Sequence, residues 1–238
     1  MDELIVMIIK NPEARILALK KGEIDAVRIE PSDVGALIGE PNIKVVKFSY
    51  IATAQVLGFN LRKYPFNIKE FRHVIDLLID KEKVVKDIFF GFAEIGSNGY
   101  IQPSWKAWVH PDAPFWHGKG MTEEERIKEA EEVLDKLGFI DRDGDGVRET
   151  PNGAKLEFDL WTLAEYSQYI SLAQFVKQSL ERVGMKINVI PMATQTVIQR
   201  VYYGPPFEYD MYFMGIGYWP DPDAVLYLEF FGNPPIYG

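Results

Sequence analysis

The alternation of short apolar runs with segments of helical period, punctuated by Gly and Pro, constrains this fold more than any other feature. Residues 4–9 form a continuous run of Leu, Ile, Val and Met, of strand length and far short of the ~20 residues that span a bilayer. Asn11-Pro12 then supplies an N-cap and a first-turn proline, and Ala14, Leu17 and Ala18 recur at helical spacing. Gly22 closes that helix before a second strand-like run at 24–29. Pro31-Ser32-Asp33 opens a short helix, and residues 44–48 and 55–60 read as further strands. The pattern predicts an α/β architecture.

At Asn60 the character changes. Arg62-Lys63-Tyr64-Pro65-Phe66 is a polar, proline-bearing connection without period, and we expect the chain to cross between two lobes there. Asn67 is expected to cap a helix carrying Phe71, Val74, Ile75, Leu78 and Ile79 on one face, and Asp80 to cap another running to about Phe90. Residues 96–120 are irregular and rich in aromatics. Thr122 and Glu125 form a capping box before a helix with Ala130, Val133, Leu134 and Leu137 inward, ended by Gly138. Strands at 156–160, 185–192 and 211–216 surround a helix at 169–183, and an aromatic helix is expected at 224–231.

Composition narrows the function. With 238 residues the chain is long for one small domain and short for two, which suggests one and a half units. A formal charge of −9 disfavours nucleic acid and anionic membranes as partners, since both call for a basic surface. The absence of Cys removes disulfides, thiolate nucleophiles and Cys-based zinc sites. No basic start followed by an apolar stretch marks a leader, so either the protein is cytosolic or its leader lies outside these residues.

Catalytic machinery is thin. His73, His110 and His117 match no zinc spacing, and no nucleophile elbow, phosphate loop or dinucleotide fingerprint is present. Asp221 and Asp223 could serve as a glycosidase pair, although two residues apart around a proline is a poor way to set the roughly 5 to 9 Å that such carboxylates need. Asp141, Asp143 and Asp145, before Gly146, resemble the first half of a calcium loop, with the Val147 carbonyl as a further ligand. The twelfth position is Asn152 instead of the bidentate Glu, and a turn stabilised by Asp and Gly is the competing reading. Trp105, Trp108 and Trp116 lie in loops, and Tyr218 and Trp219 directly follow a strand, where ligands of open α/β sheets sit.

These residues complete a resemblance. Ala18-Leu19-Lys20-Lys21-Gly22-Glu23-Ile24-Asp25 is similar to the Ala-Leu-x-x-Gly-Glu-Ile-Asp segment of the family 5 extracellular solute-binding proteins of ABC importers, the dipeptide, oligopeptide and nickel type. Leu57-Gly58-Phe59-Asn60, Pro65-Phe66, Phe71-Arg72-His73-Val74-Ile75 and Ile79-Asp80-Lys81-Glu82 resemble the stretch that follows in that family. Asp143-Gly144-Asp145-Gly146, Tyr209-Asp210 and Asp221-Pro222-Asp223 resemble later elements. Each is weak alone; in order and at compatible spacing they are specific.

The resemblance implies a type II periplasmic-binding-protein-like lobe, with a mixed sheet, flanking helices and an incomplete second lobe. Residues 1–57 would end the first lobe and 58–238 form most of the second, with Asn60 at the hinge. It implies an extracytoplasmic, non-enzymatic, monomeric protein that delivers a ligand to ABC permease subunits, with its leader and lipid anchor before Met1. Ligand contacts would come from Tyr218, Trp219, Asp221, Trp105 and Trp108. Peptide binders carry an acid beside the Trp of this loop to pair a terminal ammonium, whereas Tyr218-Trp219-Pro220 has none before Asp221. An unpaired ammonium is costly to bury, so the expected ligand is an oligosaccharide or an oligopeptide, sugar slightly ahead. No cofactor is expected beyond calcium at Asp141, Asp143 and Asp145. Weak ligand binding by these 238 residues alone is expected too, because a cleft with one wall loses most of its buried contact.

Overall fold

The computed structural model describes residues 2–9, 11–46, 53–97, 101–103, 105–110, 112, 116–217 and 223. Its centre is a mixed sheet in which β1 (Thr53–Phe59) lies beside β4 (Met211–Gly217), followed by β2 (Glu157–Leu163) and β3 (Lys186–Met192). β1 and β4 are antiparallel along their whole length, from Thr53 opposite Gly217 to Phe59 opposite Met211. β2 runs parallel to β3 and to β4, but it meets β4 only at Leu160–Met211 and Trp161–Tyr212. The far end of the β1/β4 pair therefore projects from the sheet as a two-stranded ribbon.

Helices cover the sheet. The short α1 (Pro12–Lys20) is capped by Asn11, whose side chain accepts from the Ala14 N–H at 2.7 Å. α2 (Lys69–Leu78) turns Phe71, Val74, Ile75 and Leu78 inward at helical spacing and packs on α4 (Glu123–Lys136) and on α5 (Ser167–Glu181). α5 lies against β2 and β3, and α6 (Thr194–Ile198) against β2, so that Leu160, Trp161, Thr162 and Leu163 are all buried. Phe66, Phe71, Phe139 and Phe158 form an aromatic knot with ring centroids 4.8 to 5.9 Å apart, in tilted or edge-on contacts. Such pairs add ~1 kcal/mol each beyond the area they bury.

Several local signals act as expected. Thr122 and Glu125 close a capping box, with the Thr122 N–H donating to Glu125 Oε2 at 2.8 Å and the Glu125 N–H to Thr122 Oγ1 at 3.2 Å. Gly138 takes φ +77°, and the Phe139 N–H bonds back to the Leu134 carbonyl at 2.9 Å. That reversal swings Phe139 into the knot.

Other expectations fail, for physical reasons. Residues 4–9 and 24–29 form no strand, and Leu4 to Ile8 are exposed, because a strand exists only where a neighbour takes up its N–H and C=O groups. The described part of 44–48 forms no strand either. Asn67 does not cap α2: its N–H bonds to the Lys63 carbonyl at 3.2 Å, continuing the preceding turn, and the helix enters after Ile68. The helix expected from Asp80 to Phe90 keeps the Asp80 cap, at 2.9 Å from the Lys83 N–H. It then widens from α3 (Lys81–Lys83) into a π turn over Val84–Ile88 and stops at Phe90 and Gly91, both at positive φ. The helix expected at 224–231 lies outside the described residues. Among the described residues no helix is long and apolar enough to cross a membrane.

Candidate ligand cleft

The ribbon is fixed at its base by Asn60. This side chain is 1% exposed, and its Nδ2 donates to the carbonyls of Phe207 at 2.7 Å and Tyr209 at 2.9 Å. Its Oδ1 accepts from the Arg62 N–H at 3.1 Å, and its own N–H donates to the Asp210 carbonyl at 2.9 Å. The chain entering β4 is thus sewn to the chain leaving β1. Asp210 extends the seam, since its carboxylate accepts from Lys63 Nζ at 2.7 Å and from the Asp159 N–H of β2 at 2.9 Å.

Above that base two glycines let tyrosine side chains approach the ribbon closely. A Cβ on Gly58 would stand 2.3 Å from Tyr212 Cζ, and one on Gly215 would stand 2.7 Å from the Tyr169 hydroxyl. Burial, with Tyr166 and Glu30 nearby, pushes the Tyr169 phenol up to about 12.

An open cleft of about 1790 Å³ runs along this ribbon. It is lined by β1 and β4 residues 54–59, 212, 213 and 216, by residues 26–31 and 43–46, by α2, and by 92–97 and 101–103. Small-molecule pockets hold roughly 300 to 1,000 Å³, so this volume suits an extended ligand of several units. Most of the lining is apolar. Gln55, on β1 in the cleft, has its Oε1 buried and its side-chain amide beside the Tyr169 hydroxyl, a polar group among the apolar lining.

Charged side chains of both signs line the cleft, among them Arg28, Glu30, Lys44 and Arg72, and one set is tied into a network on α2. Asp76 Oδ1 pairs with Lys81 Nζ at 2.8 Å, Asp76 Oδ2 contacts His117 Nδ1 at 2.6 Å, and the His117 ring lies over the His73 ring with centroids 4.2 Å apart. Burial would raise the Asp76 carboxyl, but the Lys81 ammonium and hydrogen bonds from Lys81 and His117 outweigh it and hold the group below its usual range. Burial and the neighbouring His117 and Lys69 lower His73. Sequence reasoning treated each histidine separately and missed this network, because Asp76 and His117 stand 41 positions apart.

The other expected site residues are scattered. Trp105 and Trp108 sit in consecutive turns, with Trp108 58% exposed, and neither lines the cleft. Trp116 is buried; its Nε1 donates to the Asp76 carbonyl at 3.2 Å and the Arg126 guanidinium lies over its ring. Tyr218, Trp219 and Asp221 lie outside the described residues. Asp141, Asp143 and Asp145 do come together, well outside the cleft lining, and a fourth acid, Glu149, joins them.

Comparison with known proteins places this geometry. Residues 1–237 match the family model for bacterial extracellular solute-binding proteins, family 5. The oligopeptide-binding protein AppA of Bacillus subtilis is 24% identical over 222 residues, a match covering 90% of this chain and 38% of AppA. The chain therefore spans about two-fifths of the length of that relative. Among solved structures, DppA of Helicobacter pylori in complex with the peptide STSA superposes with a TM-score of 0.71 at 26% identity, over 92% of this chain and 38% of that one. A Thermotoga maritima periplasmic oligopeptide-binding protein bound to mannohexaose gives 0.70 at 19% identity, over 93% and 41%. The mixed sheet and its helices are the type II periplasmic-binding-protein fold. On the match along nearly its whole length, the chain belongs to family 5 of the bacterial extracellular solute-binding proteins, a family of binding proteins and not of enzymes.

Proposed function

We infer that the chain supplies the ribbon and much of the cleft of an ABC importer's substrate-binding component, working outside the cytoplasm as a monomer, and that its ligand is a peptide. The observation that carries the reading is the cleft along the β1/β4 ribbon: long, largely apolar, with the Gln55 amide and charged side chains of both signs inside it. A peptide offers a backbone N–H at every non-proline residue and a C=O at every residue to such polar groups. AppA and DppA, whose names and complexes refer to peptides, support the same ligand class. The oligosaccharide preference rests on the lack of an acid beside Tyr218 and Trp219, which lie outside the described residues, and neither Trp105 nor Trp108 adds a ring to the cleft lining. The mannohexaose complex, at 19% identity, carries the fold alone.

In this reading residues 1–57 belong to one lobe and 58–238 to the other. The ribbon is the crossing, and the base held by Asn60 is the fixed end about which the lobes close. Tyr218, Trp219 and Asp221, which follow β4 directly in sequence, complete the cleft's contacts. Ligand that bridges both lobes favours the closed form by its differential affinity, and the closed form is what the permease accepts.

A thermal-shift screen of the full-length protein tests the ligand class. Pools of tri- to nonapeptides should raise Tm, while cello-, manno- and xylo-oligosaccharides should leave it unchanged. The reverse pattern would overturn the peptide assignment, and no response to either would overturn both.

A further inference from the structure

The acidic turn after α4 carries more than its sequence reveals. One carboxylate oxygen from each of Asp141, Asp143, Asp145 and Glu149 lies within 4.8 Å of the others. Glu149 is the unusual member. It is 5% exposed, its Oε2 accepts from the Arg142 N–H at 2.7 Å, and its Oε1 is buried with no hydrogen-bond partner. Arg142, the nearest guanidinium, spends its Nη1 and Nη2 donors on the carbonyls of Gly138, Ile140, Glu149 and Thr150 and comes no closer than 4.0 Å to the Glu149 carboxylate. A buried carboxylate oxygen left without a donor is expensive, and three further carboxylates beside it deepen the need for positive charge.

The backbone is already arranged for that charge. Gly144 and Gly146 N–H groups donate to the two oxygens of Asp141 at 2.8 and 2.9 Å, and Val147 N–H to Asp145 Oδ1 at 2.9 Å. Glu149 is held in place by backbone pairing with Ile140 on one side and Lys155 on the other. Lys155 stands in as a single positive charge, bonded to Asp145 and 3.1 Å from Asp143, while Glu149 Oε1 remains without a partner.

We propose that Asp141, Asp143, Asp145 and Glu149 form a calcium site, in which Glu149 supplies the acid that Asn152 cannot and the ion displaces Lys155. The donors favour calcium, since carboxylates gathered on a short turn suit an ion that accepts irregular geometry better than magnesium, which demands a near-ideal octahedron. Opposed oxygens around calcium, at ~2.3 to 2.6 Å from the ion, stand roughly 4.6 to 5.2 Å apart, whereas around magnesium they stand about 4.0 to 4.2 Å apart. Donor atoms that all lie within 4.8 Å of one another leave room for the larger ion. Because the turn joins α4 to β2 through Arg148, which bonds the Gly184 and Val183 carbonyls beyond α5, the ion would fasten three elements away from the ligand cleft.

The test is calorimetric titration of the chelator-stripped chain with calcium and with magnesium, with circular dichroism confirming that each variant is folded. The wild type should bind calcium at micromolar to millimolar concentration and magnesium at least about tenfold more weakly. Glu149→Gln, which keeps the shape and removes the charge, should weaken calcium by about tenfold or more, and Lys155→Met should tighten it several-fold. Glu132→Gln, removing an equal charge from the exposed face of α4, should change nothing. No calcium binding at about 5 mM, or equal binding by wild type and Glu149→Gln, would overturn the site. Equal affinity for magnesium would overturn the choice of ion.

Discussion

Replacing Asn60 with Ala probes the base of the ribbon. The change removes the donor to the Tyr209 carbonyl, in a buried contact, and to the Phe207 carbonyl, in a half-buried one, together with the acceptor for the Arg62 N–H. A buried polar group left unpaired costs about 1 to 3 kcal/mol, and water can reach the Phe207 contact, so the sum is ~3 kcal/mol. With a urea slope of about 2 kcal/mol/M, the unfolding midpoint should fall by roughly 1.5 M. Asn60→Asp is the sharper control. A carboxylate has nearly the same shape but cannot donate, so it sets negative charge against two carbonyl oxygens. At pH 7 it should be at least as damaging as Ala, and it should recover partly as pH falls toward about 4, because burial against carbonyl oxygens raises its folded value and protonation restores one donor. A midpoint shift under about 0.3 M for Asn60→Ala, or an Asn60→Asp variant as stable as the wild type at pH 7, would refute the seam.

Two further changes probe the cleft. Gly58→Ala drives a methyl into the Tyr212 ring, where the Cβ would stand 2.3 Å from Cζ. Displacing the ring should cost about 1 to 3 kcal/mol in urea unfolding and, because Tyr212 lines the cleft, weaken ligand binding in the same variant. Asp76→Asn tests the charge network through pH. The Asp76 carboxyl titrates below its usual value in the folded chain, so its stabilisation is fully present above about pH 4 and is lost as pH falls through the folded value. The variant should therefore be less stable than wild type at pH 7, with the gap narrowing as pH falls below about 4, as read from urea midpoints across that range. His73 runs in the next window: its lowered pKa predicts stability that is full above about pH 6.5 and declines as pH falls toward the folded value, a decline that His73→Gln should flatten.

What was legible in the sequence was local. Asn11, Asp80 and the Thr122–Glu125 box cap their helices through bonds spanning three residues, which no distant contact overrides. The Leu57-Gly58-Phe59-Asn60 motif was readable as a family element for a related reason: Gly58 admits the Tyr212 ring and Asn60 closes the seam, so each position tolerates few residue types. Strand pairing was less legible. The run at 4–9 is the more uniformly apolar of the two, yet among the described residues it is the run at 55–60 that has a partner, Met211–Gly217, far along the chain. The histidine network was hidden by the same distance. Glu149 escaped notice for another reason: nothing in the sequence shows that the acid at the ninth position of the turn is buried against the three aspartates. Exposure decided the aromatic residues: Trp116 and Trp108 share a loop-like context, yet one is 6% exposed and the other 58%.

The claim that the cleft along the ribbon receives a peptide is tested most directly by hydrogen–deuterium exchange of the full-length protein with and without a tight-binding peptide from the screen. The account predicts slowed exchange in β1, in the cleft-facing part of β4 and in residues 92–97, with the acidic turn at 141–149 unchanged. Protection confined to other segments, or slowed exchange around Trp105 and Trp108 with none along the ribbon, would contradict it.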